Sequence, residues 1–295
     1  MSTSLTASEI TPYRGRFAPS PTGPLHAGSL VAALASFLDA KRAGGAWVLR
    51  IDDIDPPRAA AGSVGQITEA LSAHGLHWDG AVRYQSQSSD AYHRALQQLA
   101  ETGTLFRCRC TRSTLSDQGT CGQRCEQHAI SDEEPHSLRV NFDSAQLAGF
   151  ADRFQGMQPV TPEKTVTDFI VRRRDGLFAY QLAAAVDDAQ PHFTHIVRGA
   201  DLLDSTHRQR WLMQLLGQTS PCYSHISVIR DIDGNKLSKQ NGAPAINTTE
   251  PVKNLQSALA FLNQTPPPTS CTTPLEILSF ATEHWDLART NVSPV

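Results

Sequence analysis

Residues 16–29 read RFAPSPTGPLHAGS, an order that predicts a short strand, a rigid turn and the start of a helix. Residues 16–18 suit a strand, whereas the prolines that follow cannot belong to regular structure. From Gly28 the apolar residues recur at helical spacing as far as the glycine pair at 44 and 45. Such a helix start presents free backbone N–H groups and a positive dipole end, which together suit phosphate binding.

The segment after this helix predicts the fold class. Residues 46–51 read AWVLRI, which has the continuous apolar character of a buried parallel strand. Strand, helix and strand then form a βαβ unit with a right-handed crossover. Helix and strand patterns alternate again after Phe178, so we predict an α/β fold, a doubly wound Rossmann-type nucleotide-binding domain. Further helices are expected at 63–73, 89–102, 206–216, 252–263 and 275–287, and further strands at 137–142 and 166–173.

Composition limits the classes of protein. The 295 residues carry a formal net charge of −3, which argues against a polybasic binder, so any contact with nucleic acid must rest on local basic patches. Residues 1–15 contain no apolar signal region, and the longest uncharged apolar run, 30–38, is too short to cross a bilayer. Six cysteines without a secretion signal favour a reducing compartment, so we expect a cytoplasmic protein without membrane contact.

Four of the cysteines are closely spaced. Cys108 and Cys110 form one pair, and Cys121 and Cys125 form another. Two such pairs can complete a tetrahedral thiolate shell around one structural Zn²⁺. The alternative is that these cysteines are small core residues. The nearby arginines would either bind phosphates or keep the module soluble; they are Arg107, Arg109, Arg112 and Arg124. The two isolated cysteines, Cys222 and Cys271, are interpreted as structural.

Two separate loops offer complementary nucleotide chemistry. In the first, His26 can hydrogen-bond phosphate oxygens, and Gly28 allows a flat ring to approach the backbone. In the second, residues 231–239 read DIDGNKLSK, where Lys236 and Lys239 make a cationic loop suited to pyrophosphate. Taken alone, the first is more simply a rigid turn and the second an exposed charged loop. Taken together, each supplies what the other lacks, which favours a nucleotide-activating enzyme.

These loops resemble the paired motifs of a known enzyme family. Residues 26–29 (HAGS) resemble the HIGH motif, and residues 236–239 (KLSK) resemble the KMSKS motif, of class I aminoacyl-tRNA synthetases. Four further stretches, in the same order, are similar to the glutamyl branch: residues 16–25, 50–56, 178–183 and 196–202. The resemblance implies a Rossmann-type catalytic domain that activates glutamate with ATP and Mg²⁺.

The resemblance also implies roles for individual residues. His26, Lys236 and Lys239 would be catalytic, with His26, Gly28 and Lys239 binding ATP. Glutamate would be bound by Arg16, Ala18, Ser20, Asp52, Tyr180 and Arg198. Asp52 departs from the family, which has Glu there, and its side chain is shorter by one methylene, about 1.5 Å. Its carboxylate would bind the substrate's ammonium group, or else it is a charge preceding the turn at Pro56.

Within the glutamyl branch, the chain resembles the short paralogues that attach glutamate to the queuosine base of tRNA(Asp). Only residues 240–295 follow Lys239, whereas a separate anticodon-binding domain usually needs on the order of 100 residues or more. The expected partners are therefore glutamate, ATP and the anticodon stem–loop of tRNA(Asp) containing queuosine, bound by a monomer. The alternatives are a truncated glutamyl-tRNA synthetase that charges a 3′ end, another HIGH-type nucleotidyltransferase, and a non-catalytic RNA-binding paralogue.

This resemblance divides the chain into four predicted parts. Residues 1–105 would be the first half of the Rossmann domain, 106–176 the zinc-bearing insertion, and 177–245 the second half with its lysine loop. Residues 246–295 would be a C-terminal helical segment without an anticodon-binding domain. The basic residues at 172–174, together with His207, Arg208 and Arg210, are predicted to lie mostly on solvated faces.

Overall fold

The computed structural model describes residues 12–122, 125, 128–161, 167–230 and 243–290. Its strands are β1 Arg14–Phe17, β2 Ala46–Ile51, β3 Arg83–Tyr84, β4 Leu105–Cys108, β5 Ser137–Asn141, β6 Phe150–Asp152, β7 Gly156–Gln158, β8 Asp168–Arg172, β9 His195–Gly199 and β10 Cys222–Ile226. Its helices are α1 Ala27–Arg42, α2 Ser63–Ala73, α3 Ser89–Glu101, α4 Tyr180–Asp188, α5 Leu203–Leu215, α6 Pro251–Phe261 and α7 Pro274–Glu283.

Parallel strands from both halves of the chain form the centre of the fold. β1, β2 and β3 pair in parallel in that order, and β10 pairs in parallel with both β9 and β6. The two groups adjoin where the backbone N–H of Thr194 donates to the Arg14 carbonyl at 2.9 Å, beside the start of β1. Sequence-distant strands meeting side by side are typical of doubly wound sheets, and the predicted α/β class is confirmed.

Helix α1 packs the first half of this sheet against the C-terminal helices. Its two faces are both largely buried, and Trp47 of β2 lies beneath it with Nε1 donating to Ser36 Oγ at 2.9 Å. Leu259 of α6 and Ile277 of α7 belong to the same apolar core. Residues 251–283 therefore complete the core around α1, since this helix would otherwise expose apolar side chains to water.

A second, antiparallel sheet carries the cysteine-bearing module. β5 lies between β4 and β8, and its outer strand β4 ends at Cys108. The short strands β6 and β7 also lie within residues 106–176, yet β6 pairs with β10 of the parallel sheet. The predicted insertion thus contributes strands to both sheets.

Element boundaries differ from the sequence predictions by a few residues. β1 spans Arg14–Phe17 rather than 16–18, because its register with β2 begins at Arg14 opposite Ala46 and Pro19 ends the run. α5 begins at Leu203 rather than at 206, directly after a 3₁₀ turn at Ala200–Leu202, and Asp204 in its first turn complements the helix dipole. Among the described residues, no helix is long and apolar enough to span a bilayer.

Candidate active site

His26 lies where the turn enters α1. It is the N-cap residue of the helix, and its Nδ1 accepts a hydrogen bond from the Ser29 N–H at 3.2 Å. Because Nδ1 accepts, the neutral ring carries its proton on Nε2, which is then a donor suited to a phosphate oxygen. The start of α1 and the His26 imidazole therefore present hydrogen-bond donors in the same region, and phosphate binding there stays a prediction.

The chain returns to His26 after the lysine-bearing loop. Ala245 forms an antiparallel bridge with His26, and the Ile246 N–H donates to the Leu25 carbonyl at 2.9 Å. Ala245 is only six positions beyond Lys239 in the sequence. The segment that follows the second motif therefore lies against the first motif.

A buried row of alternating charges lies behind the turn. Arg16 donates from Nε and Nη2 to the two carboxylate oxygens of Asp188, at 3.1 and 2.8 Å. Arg50 donates from Nη1 to Asp188 at 2.6 Å, and from Nε and Nη2 to Asp52 at 2.6 and 3.2 Å. All four side chains are buried. The order is therefore cation, anion, cation, anion, and it links Arg16 to Asp52 without direct contact between them.

This row determines the charge state of its members. Burial opposes ionisation of Asp188, but the flanking cations Arg16 and Arg50 prevail and hold its pKa below the usual value for aspartate. For Asp52 burial prevails, and its pKa is raised despite the contact with Arg50. None of the hydrogen bonds found among the described residues uses Nη1 of Arg16. That nitrogen can therefore bind a substrate carboxylate while the opposite edge of the guanidinium stays on Asp188.

Arg198 is positioned by a second buried network. Its guanidinium donates to His225 Nε2 at 3.0 Å, to Gln209 Oε1 at 2.8 Å and to Thr206 Oγ1 at 2.8 Å. The Nδ1 of His225 pairs with Asp152 at 2.6 Å. Burial lowers the pKa of His225, so the ring is neutral and can accept from Arg198 only while Nδ1 carries the proton. The network therefore holds one tautomer of His225 and one orientation of Arg198.

Tyr180 opens onto a large cleft. It is the first residue of α4 and, with Gln181, lines a cavity of about 900 Å³ that also borders the cysteine module. Gln181 accepts from Gln209, which in turn accepts from Arg198, so hydrogen bonds connect the start of α4 to the Arg198 network. The cleft is large enough for a nucleotide-sized ligand.

The four clustered cysteines converge as predicted. Their Sγ atoms all lie within 4.8 Å of one another, with Cys110 at 3.7 Å from Cys121 and 3.5 Å from Cys125. A tetrahedral site with metal–sulfur bonds of about 2.3 Å has sulfur–sulfur edges of about 3.8 Å. The cluster, completed by Cys108, can therefore hold a metal ion.

A buried aspartate attaches this module to the antiparallel sheet. Asp168 of β8 accepts the backbone N–H groups of Cys121 and Gly122 at 3.0 and 2.9 Å. The same carboxylate pairs with Arg139 of β5. Because Asp168 and Arg139 also border the 900 Å³ cavity, the module forms a fixed wall of the cleft that Tyr180 enters.

Comparison with known proteins identifies the family. Residues 13–261 match the model for the catalytic domain of class I tRNA synthetases (E and Q). A glutamyl-Q tRNA(Asp) synthetase of Methylococcus capsulatus is 46% identical over 94% of this chain and 93% of its own length. A second glutamyl-Q tRNA(Asp) synthetase, of Thiobacillus denitrificans, is 45% identical over 95% of this chain and 96% of its own length. The chain belongs to the glutamyl-Q tRNA(Asp) synthetase family.

A solved structure of a glutamate tRNA ligase has a similar fold. The glutamate tRNA ligase of Elizabethkingia meningosepticum, determined in complex with its amino acid, has a TM-score of 0.77 and 25% identity. The match covers 95% of this chain but 66% of that ligase, so this chain spans about two thirds of the ligase's length. Membership of a tRNA synthetase family implies an amino acid, ATP and a tRNA as substrates.

In this glutamyl-Q tRNA(Asp) synthetase family member, four of the predicted glutamate-binding residues lie in or beside two hydrogen-bonded networks. Arg16 and Asp52 belong to the buried charge row, while Arg198 and Tyr180 are connected through Gln209 and Gln181. The turn lies against the charge row, because the Asp52 N–H donates to the Pro19 carbonyl between Ala18 and Ser20 at 3.0 Å. Gly28 lies in the first turn of α1. Lys236 and Lys239 lie outside the described residues.

Sequence reasoning missed the residues that hold the predicted anchors in place. Asp188 follows the apolar run 182–186 at the end of α4, and His225 lies in the buried part of strand β10. A charged or titratable residue inside a buried apolar segment was the available signal, since such groups require partners. The expectation of solvated faces was wrong for His207, Arg208 and Arg210, all of which are half-buried. Arg210 packs over the Phe150 ring and donates to the Ala148 carbonyl.

Proposed function

We propose that this chain activates glutamate with ATP and transfers the glutamyl group to the queuosine base of tRNA(Asp). The observation that carries the proposal is the match to curated glutamyl-Q tRNA(Asp) synthetases along nearly the whole length of both chains. The meeting of His26 with the flank of the lysine loop supports the activation step, because that step needs donors on both sides of the triphosphate.

Glutamate recognition is assigned to the two buried networks. Arg16 would bind one carboxylate of the substrate through Nη1, and Arg198 would add a second cation held in place by His225. Asp52 would receive the substrate's ammonium group, as expected from its position in the family pattern. Since Arg50 already pairs with both oxygens of Asp52, the ammonium group would share this carboxylate with Arg50. Ala18, Ser20 and Tyr180 would complete the pocket.

The chemistry requires no nucleophile from the protein. The α-carboxylate oxygen of glutamate attacks the α-phosphorus of ATP, a new P–O bond forms, and the bond to pyrophosphate breaks. The donors at His26 and Gly28, with Lys236 and Lys239, would stabilise charge on the phosphate oxygens. Bound Mg²⁺ would supply further charge neutralisation on the triphosphate. A hydroxyl of the queuosine ring then attacks the activated carbonyl, loses its proton to solvent, and releases AMP.

The glutamate activation and the acceptor can be tested separately. We expect ATP–pyrophosphate exchange that depends on glutamate and proceeds without tRNA. We also expect labelled glutamate to enter tRNA(Asp) that contains queuosine, and to do so after periodate has oxidised the 3′-terminal ribose. Exchange that begins only when tRNA is added would contradict the first expectation. Label on tRNA(Glu) that disappears after oxidation would assign the protein to 3′-end charging, and equal labelling of tRNA(Asp) without queuosine would assign it to another acceptor.

The metal is assigned as one structural Zn²⁺, held by Cys108, Cys110, Cys121 and Cys125. The all-sulfur donor set and the sulfur–sulfur distances fit a tetrahedral zinc site. Burial raises the pKa of the Cys108 and Cys121 thiols, so a cation is needed to keep them as thiolates. A thiolate cluster of this kind also favours the reducing cytoplasm as the place of action.

Metal analysis can check this assignment. Protein purified without chelator should contain about one zinc per chain, because one tetrahedral shell is available among the described residues. The double variant Cys110→Ser, Cys125→Ser should lose it. The double variant Cys222→Ser, Cys271→Ser is the matched control and should retain zinc, since neither residue belongs to the cluster. Zinc-free wild-type protein, or zinc retained by the first variant, would contradict the assignment.

A further inference from the structure

The 900 Å³ cleft between the cysteine module and α4 has an excess of positive charge. The charged residues that line it are five arginines and two aspartates. The arginines are Arg112, Arg139, Arg173, Arg174 and Arg208, and the aspartates are Asp168 and Asp175. Both aspartates are already paired, Asp168 with Arg139 and Asp175 with Arg173. The cleft is therefore locally positive, although the whole chain has a formal net charge of −3.

Three of these arginines have no ion pair with any residue that the structure describes. They are Arg112, Arg174 and Arg208, which come from the cysteine module, the turn after β8, and α5. Arg208 is half-buried, and burial lowers its pKa while the nearby Asp204 only partly compensates. A cation that loses hydration without gaining a partner is unfavourable, and an anion in the cleft would relieve that cost.

The position of the cleft indicates which anion it takes. Tyr180, assigned to glutamate, borders the same cavity, so a ligand in the cleft lies next to the amino acid that is to be transferred. The ATP phosphates are assigned to the region of His26 and the lysine loop, and His26 is not among the residues that line the cleft. The cleft is therefore left for the acceptor of the glutamyl group.

We propose that Arg112, Arg174 and Arg208 bind backbone phosphates of the RNA hairpin that accepts glutamate. This inference rests on the proposed function and names the surface that presents the acceptor to the activated amino acid. Cations on separate elements suit a polyanion, because each can contact a different phosphate along the strand. A hairpin loop can also present an unstacked base to the pocket beside Tyr180.

The prediction concerns affinity for RNA and its dependence on salt. Arg208→Ala should weaken binding of an RNA hairpin with the tRNA(Asp) anticodon stem–loop sequence by about tenfold, the effect of one charge-assisted hydrogen bond. Removing one arginine that binds a phosphate should reduce the slope of log affinity against log salt by about 0.7 to 0.9. Replacing all three arginines should therefore reduce it by about 2 to 3. Arg208→Lys should retain the slope, because it retains the charge.

A matched control variant is Arg42→Ala. Arg42 is exposed at the end of α1 opposite His26, and it does not line the cleft. Its removal changes the net charge as much as the removal of Arg208 does, but it should leave the affinity and the salt slope of hairpin binding unchanged. Tyrosine and tryptophan fluorescence with thermal unfolding would verify that every variant is folded.

Binding and activation are measured side by side so that the two proposals can fail independently. Glutamate-dependent pyrophosphate exchange without tRNA reports the activating site, and the decrease in hairpin affinity in Arg208→Ala should exceed any change in exchange. If the wild-type protein labels no queuosine, the proposed function fails, while hairpin binding still tests the arginines. Unchanged affinity and slope in the triple variant would overturn this inference. So would an equal effect of Arg42→Ala.

Discussion

Asp188→Ala should lower the free energy of unfolding by about 3–5 kcal/mol, the usual cost of removing one partner from a buried ion pair. The carboxylate is fully buried and lies between Arg16 and Arg50, so its removal leaves two buried cations facing each other. Asp52 would then be the nearest remaining partner of Arg50, and Arg16 would have none among the described residues. Urea unfolding at neutral pH measures the change.

Two further variants make this result interpretable. Asp188→Asn should cost less than Asp188→Ala, because its amide oxygen still accepts a hydrogen bond from an arginine. Glu69→Ala removes an exposed acid of α2 and should change stability by no more than about 0.5 kcal/mol. A destabilisation at Asp188 as small as that at Glu69 would show that the charge row contributes little to the fold.

Lowering the pH should also remove the stabilisation that the Asp188 carboxylate contributes. The pKa of Asp188 is lower in the folded protein than its ordinary value, because Arg16 and Arg50 flank the carboxylate. A carboxyl group of this kind stabilises the fold fully above its unfolded pKa of about 3.9, and loses this contribution as the pH falls through the folded pKa. The stability difference between wild type and Asp188→Asn should therefore shrink below about pH 4.

Lys239→Ala should slow adenylate formation by on the order of 10²-fold or more with little change in glutamate affinity. The resemblance to the KMSKS motif assigns this lysine to the leaving pyrophosphate, where charge develops only during the reaction. Removal of one such contact typically costs roughly 3 kcal/mol in the transition state. Single-turnover formation of glutamyl adenylate measures the rate, and pyrophosphate exchange gives the KM for glutamate.

An exposed lysine provides the control for this variant. Lys253 lies on α6 and pairs only with Glu250 at the helix start among the described residues, so Lys253→Ala should leave the rate unchanged. If Lys239→Ala instead raised the KM for glutamate and left kcat unaltered, the lysine would act in amino acid binding rather than in the reaction.

Local sequence patterns predicted part of the backbone that forms the candidate site. The turn at 16–29 was expected to lead from a strand into a helix start, and the structure has His26 as the N-cap of α1. Such a prediction succeeds because proline, glycine and apolar spacing restrict the backbone over a few residues. The cysteine cluster was predictable for a similar reason, since two close pairs of one residue type leave few arrangements in a reducing compartment.

Partnerships across long sequence separations were not predictable in this way. Arg16 and Asp188 are 172 positions apart, and nothing in the local sequence of either one identifies the other. The same holds for Arg208, whose helical neighbours suggested a solvated face, whereas the cysteine module and α4 enclose it in a cleft. Burial is decided by elements that arrive from elsewhere in the chain, and helical spacing alone cannot report it.

The sequence by itself therefore determined the α/β class with its first strand–helix–strand unit, the set of four cysteines that converge, and the family to which the chain belongs. Each of these depends on residue types at short spacing, where backbone sterics and ligand chemistry leave few choices. Only the tertiary structure decided that Asp188 lies between two arginines, that His225 orients Arg198, and that three arginines face a cleft beside Tyr180. These pairings arise because the parallel sheet brings distant segments together, and a buried charge is stable only where a partner meets it.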